Sequence, residues 1–219
     1  MFEFQNGTST GIKKRVSGIM RQIPKALIYS RLVIGLLILI CSVFHIKNYS
    51  IIAVTLFTVG LLTDIFDGIL ARRLNISTEN LRRLDSTIDQ LFFVLVATAT
   101  FINSSQFFYD NKFELLILVS IETLAYLICF MKFKKEIATH SISSKVWTLI
   151  LFATIIQLMV TKDSSALFQV CFYTGIATRL EIIAIILVLR NWTNDVPSLY
   201  QAVLLRQGKT IKRHKLFNG

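Results

Sequence analysis

Six stretches of predominantly apolar residues, at 27–44, 51–70, 84–102, 113–131, 146–160 and 166–189, leave this chain few ways to fold. A helix needs about 20 apolar residues to cross the roughly 30 Å hydrocarbon core of a bilayer. In lipid, backbone polar groups can be satisfied only inside helices or closed barrels. The runs are long and continuous rather than alternating, so they predict helices. With 219 residues, 53% of them hydrophobic and 17% charged, the chain has too little polar surface for a water-soluble domain of this size. The expected fold class is all-α, a polytopic membrane protein with six transmembrane helices. The connectors are short and no repeat is present, so one domain is expected over 1–219: a cytosolic or interfacial segment at 1–26, a six-helix bundle at 27–189 and a basic cytosolic tail at 190–219.

A net charge of +11 raises the possibility of a nucleic-acid partner, and the positions of the basic residues decide against it. If the N-terminus is cytosolic, Lys13, Lys14, Arg15, Arg21, Lys25 and Arg31 precede or open the first span, and Arg72, Arg73, Arg82 and Arg83 follow the second. Lys132, Lys134, Lys135 and Lys145 fall in or beside the next inner connector, and Arg190, Arg206, Lys209, Lys212, Arg213 and Lys215 in the tail. The outer connectors hold only Lys47, Lys112 and Lys162. This asymmetry follows the positive-inside rule with both termini cytosolic, and it turns the basic surface toward anionic lipid. Ahead of the first span, Ile12, Val16, Ile19, Met20 and Ile23 recur at helical spacing, which predicts an N-terminal amphipathic interfacial helix. Cys41, Cys129 and Cys171 all lie in apolar segments and read as packing residues.

Charged side chains inside spans are costly and point to function. Asp64 and Asp67 close the second apolar run, and Asp85 and Asp89 open the third. On a helix advancing about 100° per residue, Asp64, Asp67, Gly68, Ala71 and Arg72 share one face. Asp85 and Asp89, one turn apart, share another. Helices joined by a short connector are usually antiparallel neighbours, so the two faces are expected to meet. At about 1.5 Å rise per residue, Asp64 counted from Ile51 and Asp89 counted from Ile102 reach the same depth, about 20 Å from the outer surface. Four carboxylates there repel one another strongly unless cations join them. Hard oxygen donors without His or Cys favour Mg²⁺ or Mn²⁺, and two such ions are the usual arrangement for phosphoryl chemistry.

At these residues the chain resembles the CDP-alcohol phosphatidyltransferases, whose signature is D-x-x-D-G-x-x-A-R, eight residues, G, then x-x-x-D-x-x-x-D. Asp64, Asp67, Gly68, Ala71, Arg72, Asp85 and Asp89 match with the spacing kept, whereas Leu81 stands where the family has its second glycine. The stretch 24–31 is similar to the family's entry into the first helix, and 144–148 to its G-K-x-x-T, with Ser144 in the glycine's place. The resemblance implies a six-helix membrane domain, usually a homodimer. It also implies transfer of a phosphatidyl group from CDP-diacylglycerol to an alcohol with release of CMP. Asp64, Asp67 and Asp85 would carry metal, with Asp89 beside it and serving as base. Asp67, Gly68, Ala71 and Arg72 would receive the CDP part, and Leu81 bears on that pocket because a glycine lets backbone approach the nucleotide closely. The expected location is a bacterial inner membrane, with the site facing the cytosol.

Arg179, level with the aspartates by the same count, is expected to hold a phosphate on the acceptor together with Lys145 and Arg31, which favours a phosphorylated polyol such as glycerol 3-phosphate. Pairing of Arg179 with Glu181 or another carboxylate is the plainer alternative. Glu122, in mid-span, reads as a hydrogen-bonded packing residue, and Trp147, Tyr29, Trp192 and Tyr200 as anchors near the inner boundary. Other readings of the same acids are a divergent, inactive member of the family, a membrane prenyltransferase, and a cation transporter or scaffold that binds ions without turnover.

Overall fold

Apolar runs of this length satisfy their backbone in lipid by closing it into helices, and the computed structural model of the chain follows that rule. It describes residues 7–73, 78–137, 139, 141–163 and 165–209, and for 7–21, 71–73, 79, 80, 82 and 165 the backbone alone. Regular structure among the described residues is entirely helical: α1 (Gly7–Val43), α2 (Tyr49–Arg73), α3 (Glu79–Asn103), α4 (Ser105–Asp110), α5 (Lys112–Phe133), α6 (Ile142–Thr161), α7 (Ser165–Val188) and α8 (Leu199–Arg206). Six of these are long and apolar enough to span: Gln22–Val43, Tyr49–Leu70, Arg83–Asn103, Lys112–Phe133, Ile142–Thr161 and Ala166–Val188. The chain is an integral membrane protein. α1 joins the expected interfacial segment to the first span as one helix, with Pro24 inside it. The side chains of Ile12, Val16, Ile19 and Met20 lie outside the described residues, as do those of Ala71, Arg72 and Arg82 and the basic residues beyond Lys209.

The chain divides into two compact units, Met1–Asn103 and Ser104–Gly219. In the first, α1 is the close neighbour of both α2 and α3. The spacing argument expects α2 and α3 to pair directly. Instead they meet through aromatic rings, with Phe57 stacked on Phe92 at 5.9 Å and Phe93 edge-on to both. These bulky rings hold the α2 and α3 backbones apart. Glycine permits the close approach of α1 to α3, where a Cβ on Gly35 would stand 3.0 Å from Leu95, while Gly60 of α2 leaves room for the interposed ring, a Cβ there standing 2.5 Å from Phe92 Cζ. Away from the aspartates, Ser42 Oγ donates to Ala99 O at 2.9 Å and accepts from Asn103 Nδ2, which fastens α1 to α3.

In the second unit α7 packs against α5, α6 and α8. α8, which the sequence places in a basic tail, folds back: Val196 and Ala202 are buried with Ile185 and Leu189 of the α7 region. Glu181 of α7 ties two helix starts together. Its carboxylate accepts from Ser143 Oγ in the first turn of α6 and from the Leu199 N–H that opens α8. Negative charge is favoured at both points because the first backbone N–H groups of a helix lack partners. Lys132 Nζ does the converse, donating at 2.9 and 2.7 Å to the Ile186 and Leu187 carbonyls at the end of α7.

Candidate metal centre

Asp64 and Asp67 lie on α2, and Asp85 and Asp89 on α3, each pair separated by about one turn and so facing the same way. α2 and α3 run in opposite directions, so Asp64 comes level with Asp89, and Asp67 with Asp85. Arg31 of α1 stands among them. Its Nη1 donates to Asp64 Oδ1 at 2.7 Å and to Asp89 Oδ1, and its Nη2 donates to Asp67 Oδ2 at 2.7 Å and to Asp85 Oδ1. The Arg31 side chain is 1% exposed and that of Asp67 3%, whereas Asp64, Asp85 and Asp89 are 40%, 32% and 32% exposed. The cluster therefore has a closed floor, Asp67 on Arg31, and an open side.

One guanidinium cannot neutralise four carboxylates, and the uncompensated charge is costly in a low dielectric. Asp64, Asp67 and Asp85 each offer a carboxylate oxygen within 4.8 Å of the others. A convergent set of hard oxygens with excess negative charge fits a divalent cation of the Mg²⁺ or Mn²⁺ kind. Gly68 follows Asp67 on α2, and the backbone of Ala71 and Arg72 continues that helix. Leu81, in the place of the signature's second glycine, is buried in the first turns of α3 against Ile28 and Ile88, with Leu32 and Leu84 around it. Its N–H donates to Thr78 Oγ1 at 3.2 Å, as the start of a capped helix does. The leucine side chain is thus spent on the contact between α1 and α3.

A family model described as CDP-alcohol phosphatidyltransferase matches residues 21–189. The chain belongs to the CDP-alcohol phosphatidyltransferase family. No curated protein and no solved structure matches it significantly. Membership assigns the chain to phospholipid synthesis by transfer of a phosphatidyl group, in a family that is typically dependent on divalent metal. The matched segment contains all four aspartates and Arg31.

The other basic residues singled out from the sequence, Lys145 and Arg179, belong to the second unit. Lys145 sits in the first turn of α6, whose N-cap Ser141 accepts from the Ser144 N–H at 3.2 Å. Arg179 forms an ion pair through Nε with Glu122 of α5, and its guanidinium lies 4.5 Å from the centroid of the Trp147 ring. Trp147 is held in turn, donating from Nε1 to Cys171 O at 3.0 Å and lying against Gly175, where a Cβ would be 2.7 Å from that nitrogen. It thereby braces α6 against α7. Glu122, expected as a hydrogen-bonded packing residue, is the partner of a cation. Each single replacement, Arg179→Met or Glu122→Gln, is expected to destabilise the protein and lower its thermal midpoint in detergent, the former costing about 1–3 kcal/mol. The double variant should recover at least half of the summed loss, and simple additivity would argue against the pairing.

Arg31 is the residue whose place in the cluster spacing alone does not reveal. Among the basic residues at the first span it reads as a topology signal or an acceptor ligand, yet its guanidinium is engaged with the aspartates. The available sign was its position well inside the apolar stretch 22–43, where a charge needs a partner.

Proposed function

We propose that this chain transfers the phosphatidyl group of CDP-diacylglycerol to the hydroxyl of an alcohol at the cytosolic face of the membrane, releasing CMP. The observation that carries this reading is the convergence of Asp64, Asp67, Asp85 and Asp89 from two helices in a chain of this family. Asp64, Asp67 and Asp85, with Asp89 adjoining, would hold the divalent ions, two Mg²⁺ or Mn²⁺ by the usual pattern of phosphoryl chemistry. Such ions supply charge stabilisation for the phosphates and the departing CMP. Gly68, Ala71 and Arg72 receive the CDP part, with Asp67 beneath it and Leu81 at the turn into α3.

Asp89 accepts the proton of the acceptor hydroxyl as that oxygen attacks the phosphorus bearing the diacylglycerol. A new phosphorus–oxygen ester bond forms, the anhydride bond to the cytidylate breaks, and CMP leaves with the bonding electron pair. The outer part of the cluster is partly exposed, which gives substrate access to Asp89, while buried Asp67 stays on the floor. Lys145 and Arg179 are assigned to an acceptor phosphate on charge grounds, which favours a phosphorylated polyol such as glycerol 3-phosphate. Such a phosphate has to contend with Glu122 for Arg179. A homodimer with both termini in the cytosol, in a bacterial inner membrane, completes the reading; the basic residues on the connectors support the orientation.

The decisive experiment incubates purified protein with labelled CDP-diacylglycerol, Mg²⁺ or Mn²⁺ and a panel of alcohols. The expected result is CMP release that needs both an acceptor and the ion, is abolished by chelator, and is greatest with a phosphorylated polyol. Ion binding without CMP release from any acceptor would leave an inactive member of the family, or a transporter or scaffold, in its place.

A further inference from the structure

Each terminal nitrogen of Arg31 bridges one aspartate of α2 and one of α3: Nη1 joins Asp64 to Asp89, and Nη2 joins Asp67 to Asp85. The guanidinium is almost wholly buried, and its Nε has no hydrogen-bond partner among the described residues. Among the described residues, its hydrogen bonds all go to the cluster. Three of the four carboxylates it grips, those of Asp64, Asp67 and Asp85, are also the set whose oxygens converge within 4.8 Å. A divalent cation drawn to that set meets a positive charge in contact with the same carboxylates, and like charges repel strongly where water is scarce.

We propose that Arg31 is a resident counter-cation of the aspartate site, which braces α2 to α3 through the four carboxylates and competes with the divalent ion for them. The proposal rests on the metal-dependent reading above and adds to it a tuning of ion affinity. With Arg31 present, the four carboxylates carry one compensating charge before any ion arrives, so the helices stay together and the ion is held less tightly than the carboxylates alone would hold it. Arg31 is in this sense a positioning residue: it sets the charge and spacing of the ligands and takes no part in bond making.

Mn²⁺ binding to the full-length protein in detergent, read by electron paramagnetic resonance, and thermal unfolding with and without Mn²⁺ test this together. Arg31→Gln should unfold at a lower temperature than wild type without divalent ion, bind Mn²⁺ at least about tenfold more tightly, and show the larger Mn²⁺-induced rise in midpoint. Arg31→Lys keeps one positive charge but loses the fork, and should fall between the two on both measures. If Arg31→Gln cannot be purified, the lysine variant decides: a larger Mn²⁺-induced rise than wild type supports the proposal, and an equal or smaller one overturns it. Unchanged or weaker Mn²⁺ binding by Arg31→Gln also overturns it. Wild-type protein that binds no Mn²⁺ at all would overturn the metal-dependent reading as well, whereas binding that is indifferent to residue 31 removes only the role given to Arg31.

Discussion

Asp85→Asn is expected to lower acceptor-dependent CMP release by about 10³-fold or more while the protein remains folded. The amide keeps the size and shape of the carboxylate, and Arg31 Nη2 retains Asp67 as a partner, so the helix contacts survive. What is lost is one negative charge in a set of three convergent ligands, a carboxylate being replaced by a neutral and weaker amide oxygen. Mn²⁺ affinity should therefore fall along with turnover. Asp89→Asn is expected to behave differently, losing turnover by about 10²- to 10⁴-fold with the smaller change in ion binding, because its assigned task is to take the acceptor's proton. CMP release at saturating CDP-diacylglycerol, measured beside an Mn²⁺ titration, separates the two roles. Asp85→Asn activity within tenfold of wild type would remove Asp85 from the ligand set.

Gly60→Val should be the most damaging small substitution away from the aspartates, costing about 3 kcal/mol. A Cβ at that position would lie 2.5 Å from Phe92 Cζ and 3.1 Å from Cε2. The ring has little room to retreat, since Phe92 is buried and sits 5.9 Å from each of Phe57 and Phe93. Separation of α2 from α3 by such a wedge also pulls at the carboxylates that Arg31 spans, so activity should fall with the midpoint of thermal unfolding in detergent. Combining Gly60→Val with Phe92→Leu, which shortens the obstructing side chain, is expected to restore part of both. A lack of rescue would show that the loss arises elsewhere than at this contact.

The span boundaries were legible because lipid imposes a length: a run of about 20 apolar residues has one economical conformation there. The observed spans depart from the sequence-based ones mainly where polar residues flank the apolar run, as at Gln22 against 27 and Ile142 against 146. α4 and α8 are short, and α8 is stabilised by burial of Ala202 in the second unit rather than by a pattern of its own. Leu81 illustrates a different limit. As a departure from a motif it bears on the nucleotide pocket, and spacing gives no sign that its side chain packs between Ile28 and Ile88. Glu122 shows a related limit, since its partner Arg179, which also lies over the Trp147 ring, is distant in sequence and near in space.

Local spacing alone determined that the chain is helical and membrane-spanning and that four aspartates line two helix faces near one depth, because a helix has a fixed rise and period. Only tertiary packing decided that α1 is the close neighbour of both α2 and α3, and that Arg31 supplies the cation among those acids. Helix neighbours are chosen by where glycine permits approach and where rings such as Phe92 forbid it. That choice depends on side chains far apart along the chain, and no local repeat records it.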